Sequence, residues 1–199
     1  AHVPTAAALE SVIAGAHDAG AAWGALSGDE RAEILHGAGR SLAANRGRLI
    51  EVMAAEAGKT IAEADVEVSE AIDFAHYYAE LARVIIKPAR LTKRTGAVMV
   101  DALWQGGVPR DVLRLVELAS GELGSKLVAD ERVDRVILTG SSETAELFRS
   151  FRQDLPLLAE TSGKNSIIVT PSADLDLAAA DVVKSAFGHA GQKCSAASL

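Results

Sequence analysis

The chain has 199 residues, 49% hydrophobic and only 4% aromatic, with one cysteine and a formal net charge of −7. That length and apolar content bury a core as one large domain or two small ones, which excludes a disordered chain, while a single cysteine excludes an internal disulfide framework. The acidic balance argues against a nucleic-acid partner, whose binding rests on Lys and Arg neutralising phosphates, and no run approaches the ~18 apolar residues of a membrane span.

From Thr5 to about Ala82 the sequence predicts helix, with apolar residues three and four apart at Ile34, Leu42, Leu49, Val52 and Met53. Ser27, Gly28 and Asp29 supply turn chemistry for one break and Gly58 for another. This stretch carries no motif and reads as a helical wrap on a sheet. The period then changes. Val84 to Lys87 is a short β-branched run, followed by a helix around Thr95 to Gln105, a strand at Val112 to Val116, a helix at Glu122 to Val128 and a strand at Val133 to Thr139. Leu155 to Leu158 and Ser166 to Thr170 continue as strands, and Pro171, Ser172 and Asp174 open a last helix ending near Gly188. Strands alternating with helices of this length imply crossover units and a parallel sheet, hence an α/β fold. One junction breaks the pattern. YYAELARVIIK, between His76 and Pro88, holds no Gly, Pro, Asn or Asp to turn the chain from helix to strand, so a missing segment is expected there.

Three places can carry chemistry. In VILTGSSETAELF an apolar strand runs into Gly140 and Ser141 and then into a helix. Backbone N–H groups and a positive dipole end therefore lie where phosphate binds, although the same turn also serves as ordinary capping. No G-x-G-x-x-G is present. Lys87, ahead of Pro88 at a strand end, is either a cation for a ribose or phosphate or a solvated lysine. Glu160 follows the apolar run PLLA, which is expected to desolvate it toward the range of a general base. Cys194 follows Gly191 and Gln192 at a helix-to-loop transition, either as a nucleophile or as an inert buried thiol.

ILTGS, AETSGKNSIIVTPSADLDLA and SAFGHAGQKCSA together, in that order, resemble the aldehyde dehydrogenase superfamily from about Val84 to Leu199. AETSGKN and AGQKCSA are most similar to glutamate-semialdehyde (1-pyrroline-5-carboxylate) dehydrogenases, including the dehydrogenase modules of proline-utilisation proteins. The resemblance implies an aldehyde-dehydrogenase-like parallel nucleotide-binding sheet, with residues 1–83 as the helical N-terminal part of the cofactor domain. Residues 84–158 are then its nucleotide-binding part and 159–199 the start of a catalytic domain. It implies Cys194 as the nucleophile that forms a thiohemiacetal and then a thioester, and Glu160 as the base that activates water. Lys87 is similar to the family lysine at the adenosine ribose, Gly140 and Ser141 to the turn near the pyrophosphate, and Ser195 to a residue holding the substrate carboxylate. The cofactor is NAD, with NADP left open because Arg90 stands where an acid often selects NAD. A small aldehyde is the partner, a homo-oligomer is expected for the full-length protein, and no metal is implied.

The departures fall at the same junction that lacks a turn. The strand, Pro-Trp-Asn-like motif and helix that family members carry before VIIKPA are absent, and with them an asparagine that donates to the oxyanion. Ala145 replaces a second family glycine and is expected to pack. Ala1 and Leu199 read as cut or processed ends, and the protein as cytoplasmic. The expected function is oxidation of L-glutamate γ-semialdehyde to L-glutamate. The alternative is an inactive dehydrogenase-derived fragment that serves as a nucleotide-binding or interaction module.

Overall fold

The computed structural model describes residues 2–77, 84–191 and 193–198. The junction singled out above falls largely on residues 78–83, outside the described residues, as does the expected helix end at Ala82. The chain divides into two compact units, residues 1–127 and 128–199.

The first unit opens with a short strand β1 (His2–Val3) and four helices, α1 (Ala6–Ala25), α2 (Gly28–Ala44), α3 (Arg46–Ala57) and α4 (Ile61–Tyr77). Their boundaries follow from local hydrogen bonding. At α2 the Ser27 hydroxyl accepts the Glu30 N–H at 3.2 Å while the Glu30 carboxylate accepts the Ser27 N–H at 2.8 Å. Thr60 and Glu63 repeat this reciprocal arrangement at α4, satisfying N–H groups that a helix start leaves without partners. Gly58 ends α3 with φ 66, in the left-handed region that glycine enters without a Cβ penalty. The break at Asn45 was not expected. Its side-chain amide donates to Ser41 O at 2.9 Å and to Gln105 Oε1 at 3.2 Å, ending one helix and fixing the start of the next.

Next come β2 (Val84–Ile86), α5 (Lys93–Gln105), β3 (Leu113–Leu115), β4 (Glu117–Leu118) and α6 (Gly121–Ala129). β2 and β3 pair in parallel with α5 as the crossover, and β4 pairs in parallel with β1. Val116, between β3 and β4, donates its N–H to Ile86 O at 2.9 Å, and Ala119 donates to Val3 O at 3.2 Å, so one extended stretch serves two neighbours. Apolar side chains converge here. Val3, Leu9, Ile13, Val116 and Leu123 form one cluster, Ala38, Val100, Val108 and Leu113 a second, and Leu42, Leu49, Val68 and Ala102 a third. Burying each of the larger side chains contributes roughly 1.5–3 kcal/mol. Trp23 is buried beside Val112, while Trp104 donates its indole N–H to Leu113 O at 3.0 Å and lies under the Arg110 guanidinium.

The second unit holds β5 (Val136–Gly140), α7 (Ser142–Phe151), β6 (Leu157–Thr161) and α8 (Leu175–Phe187), followed by a 3₁₀ turn at Gly188–Gly191. β5 and β6 pair in parallel with α7 as their crossover. Arg152, just after α7, donates to Asp130 O at 2.6 Å and Val133 O at 2.8 Å, tying the helix end to the loop before β5. Ala145 is buried, in keeping with its expected packing. The unit is otherwise thinly covered. Ile137 is 76% exposed, Leu158 54% and Phe187 72%, and no residue of α8 is buried. The strand expected at Ser166 to Thr170 does not form among the described residues. A single parallel bridge joins Asn165 to Ala197, and a strand without a sustained neighbour has no ladder to hold it.

The start of α5 is capped across space. The Glu56 carboxylate accepts from Arg94 N at 2.8 Å, Thr95 N at 2.7 Å and the Thr95 hydroxyl at 2.7 Å. Burial pushes this carboxyl up, but the Thr95 N–H and hydroxyl together with the Arg94 N–H and charge outweigh it and hold it below the ordinary glutamate range. A carboxylate depressed in the folded state contributes stability that is present above its unfolded value, near 4.3, and fades as pH falls through the folded one. Glu56→Gln is therefore expected to lower stability by about 1–2 kcal/mol at neutral pH and to flatten the acid limb below about pH 5, read by urea midpoints across pH.

Gly37 and Gly106 let α2 approach the end of α5 closely. A Cβ on Gly37 would lie 2.2 Å from Gly106 O, whereas one on Gly24 meets nothing within 4 Å. Gly37→Ala is expected to cost about 1–3 kcal/mol through backbone displacement, and Gly24→Ala to stabilise by up to about 1 kcal/mol. Thermal unfolding of both variants checks the contrast.

Candidate active site

The two strands of the second unit end together. Their register sets Thr139 opposite Glu160 and Gly140 opposite Thr161, so neighbouring side chains at Thr139 and Glu160 leave the pair on the same face. Ile137 and Leu158, also opposite one another, lie two residues back on that face and are exposed. Glu160 is exposed as well, which corrects the expectation that PLLA desolvates it. Among the described residues β6 pairs with β5 alone, α7 packs against the pair, and no apolar layer covers Ile137, Leu158 and Glu160.

Gly140 closes β5 and Ser141 opens α7. The Ser141 hydroxyl accepts the Thr144 N–H at 3.2 Å, and the Glu143 carboxylate lies in the first turn. Glu143's own N–H and the Ser141 hydroxyl draw its carboxyl below the usual range. The positive helix end thus already carries an anion and a cap. A phosphate there would compete with the Glu143 carboxylate and the Ser141 hydroxyl for the same N–H groups.

Cys194 lies after α8 and the 3₁₀ turn, where His189 and Gly191 have φ 54 and 71. It is exposed, where the inert-thiol alternative expected a buried one, and Ser195 beside it is exposed too. Ala196 N donates to Lys193 O at 3.0 Å, which makes Cys194 and Ser195 the corner residues of a tight turn. Asn165 reaches this turn from the segment after β6. Its amide donates to Cys194 O at 2.7 Å and to Ala196 O at 3.1 Å, and its own carbonyl accepts the Ser198 N–H at 3.0 Å. The Ser185 hydroxyl of α8 accepts the Ala197 N–H at 3.2 Å.

Glu160, Gly140, Ser141, Cys194 and Ser195 all belong to the second unit, while Lys87 belongs to the first, exposed, with its ammonium donating to Pro88 O at 3.1 Å. Sequence reasoning did not single out Asn165 or Thr139. The signal for Asn165 was in the AETSGKN motif, but its partners lie about thirty residues later and no local pattern points to them. The residues present fit a dinucleotide in part. Lys87 is accessible and Gly140 offers backbone without a side chain, whereas the α7 start is already occupied by Ser141 and Glu143. Among the described residues there is no group of three or more His, Cys, Asp or Glu placed to hold a metal ion, and no helix is long and apolar enough to cross a membrane.

The model of the aldehyde dehydrogenase family matches residues 1–84 and 82–199. The bifunctional protein PutA of Escherichia coli strain K12 is 34% identical over 95% of this chain and 18% of its own length. The 1-pyrroline-5-carboxylate dehydrogenase 2 of Bacillus subtilis strain 168 is 29% identical over 95% of this chain and 48% of its own. Among solved structures, proline utilization A from Corynebacterium freiburgense superposes with a TM-score of 0.91 at 40% identity, over 100% of this chain and 24% of that one. This chain therefore spans about half the length of the single-function relative and under a fifth of the bifunctional one. The match to the E. coli protein runs over 237 positions whereas this chain has 199 residues, a difference of 38, so the relative carries at least that many residues without a counterpart inside the matched stretch.

Loss of the α7 cap is measurable by itself. Ser141→Ala is expected to lower stability by about 1 kcal/mol and Ser141→Gly by only a few tenths, since an exposed backbone is solvated in place of the cap. Helical circular dichroism during urea unfolding is the readout.

Proposed function

This chain belongs to the aldehyde dehydrogenase family, and on that premise we propose that it carries the nucleophile and base of an enzyme oxidising L-glutamate γ-semialdehyde to L-glutamate. The observation that carries the reading is the tether between the Glu160 strand and the Cys194 turn through Asn165. The likeness to a 1-pyrroline-5-carboxylate dehydrogenase supports the choice of substrate.

In this mechanism the Cys194 thiolate attacks the aldehyde carbon, giving a thiohemiacetal whose oxygen takes up the developing negative charge. A bound NAD or NADP would supply the electron-pair acceptor for the oxidation; Gly140 and Ser141 are the second unit's residues assigned to it, and Lys87 the first unit's. The resulting thioester is hydrolysed by water from which Glu160 removes a proton, and glutamate leaves as Cys194 is regenerated. Ser195 would hold the substrate carboxylate. A homo-oligomer and a reducing, cytoplasmic setting belong to the same reading.

The family match meets itself at residues 82–84, and the relatives' additional residues fall within the matched stretch. The strand that the family resemblance places before VIIKPA has no counterpart among the described residues. The oxyanion asparagine would travel with that strand, and losing one such donor costs about 100- to 1,000-fold in rate. This favours a second reading for the chain alone, an inactive module that binds a nucleotide or a partner.

Two measurements on the purified chain separate the readings. Iodoacetamide should alkylate Cys194 faster than it alkylates glutathione at neutral pH, the semialdehyde should protect it, and Glu160→Gln should change the rate. Turnover with NAD should stand at least about 100-fold below that of a full-length relative. A Cys194 with the reactivity of a free thiol and no protection by the aldehyde would leave only the module.

A further inference from the structure

Resting on the reading of Cys194 as nucleophile, we infer that Asn165 is a positioning residue whose side-chain amide sets the conformation of the Cys194 turn and thereby the reactivity of its thiol. The argument starts from peptide planarity. Each carbonyl lies trans to the N–H of the following residue, so fixing one fixes the other. Lys193 O is held by the Ala196 N–H, which directs the Cys194 N–H out of the turn. Cys194 O is held by Asn165 Nδ2 at 2.7 Å, which directs the Ser195 N–H the opposite way. The second hydrogen of the same amide reaches Ala196 O at 3.1 Å, and Asn165 O receives the Ser198 N–H at 3.0 Å. One residue therefore engages Cys194 and Ala196 within the turn and Ser198 just after it, using both amide hydrogens and its backbone carbonyl.

The chemistry of the side chain is specific. Asparagine offers two donors in one plane, and the two acceptors here are carbonyl oxygens with nothing to donate. Aspartate has the same shape but only accepts when ionised, so both bonds would become oxygen–oxygen repulsions. Serine or alanine would leave at least one carbonyl unengaged. Asn165 stands five positions after Glu160 along the same segment, so the turn bearing the nucleophile is tied to the strand bearing the base. Among the described residues Cys194 and Glu160 are both exposed, and this hydrogen-bonded tether helps hold the turn.

The test uses the intact chain, whose single cysteine makes alkylation a one-site reaction in which the thiolate displaces iodide from iodoacetamide. Rates are measured across pH for wild type, Asn165→Asp and Asn165→Ala, with far-UV circular dichroism verifying that each is folded. The expected result is a fall on the order of 10-fold at neutral pH in N165D and a displaced pH profile, because misplacing a reacting group is costly even without loss of the fold. A residue that merely braces the unit would lower the urea midpoint and leave the profile of the folded protein unmoved. Superimposable profiles for wild type and N165D, whatever the wild-type rate, would overturn the inference. A wild-type rate equal to that of glutathione would instead sink the nucleophile reading, a separate result. Should neither variant fold, the wild type still decides: slow exchange of the Asn165 side-chain amide hydrogens by NMR supports the tether, and exchange at the rate of a solvated asparagine refutes it.

Discussion

A parallel strand cannot turn straight back onto its neighbour, and the rest of this molecule is arranged around that restriction. Each return requires a crossover long enough to regain the starting edge, which a helix supplies. α5 does this between β2 and β3, and α7 between β5 and β6. Because every strand in such a pair runs the same way, the carboxyl ends gather at one edge together with the start of the crossover helix. Gly140, Ser141, Glu160 and Thr161 come together for that reason, although twenty residues separate the Gly140 turn from Glu160. The site is thus a by-product of topology before it is a matter of side-chain chemistry.

The two units satisfy the restriction with unequal support. In the first, α2 and α4 close over α3 and α5, and long apolar stripes find partners on more than one side. The second has a crossover helix on its strand pair and a further helix, α8, none of whose residues is buried. Ordered polar links take on more of the work there. Arg152 bonds two backbone carbonyls before β5, and Asn165 bonds two more around Cys194. Such links fix geometry well but contribute little net stability each, since the unfolded chain hydrogen-bonds to water.

Features that depend on neighbours in sequence were legible from the sequence. Ser27 and Gly58 announce breaks because a hydroxyl near a helix start and a residue without Cβ act within one turn, and the alternation after Val84 announces crossovers because period and length are local. Asn45 escaped notice: its role depends on Gln105, sixty residues away. The segment 166–170 is rich in β-branched residues, yet propensity describes how a side chain suits a sheet and not whether a neighbouring strand exists. Glu160 misled for a related reason, since an apolar approach predicts burial only when a second layer lies over it. The motif residues themselves stood out by pattern, whereas the contacts of Asn165 were hidden by chain separation.

Both tryptophans of the chain, Trp23 and Trp104, lie in the first unit. Intrinsic fluorescence excited at the indole band is consequently a private signal of that half, reporting the loss of the Val112 contact and of the Arg110 stacking as it melts. The half that bears Cys194 and Glu160 is optically silent in that channel. A clean single fluorescence transition would describe the first unit alone, and the half that bears Cys194 could loosen earlier without leaving any trace in it.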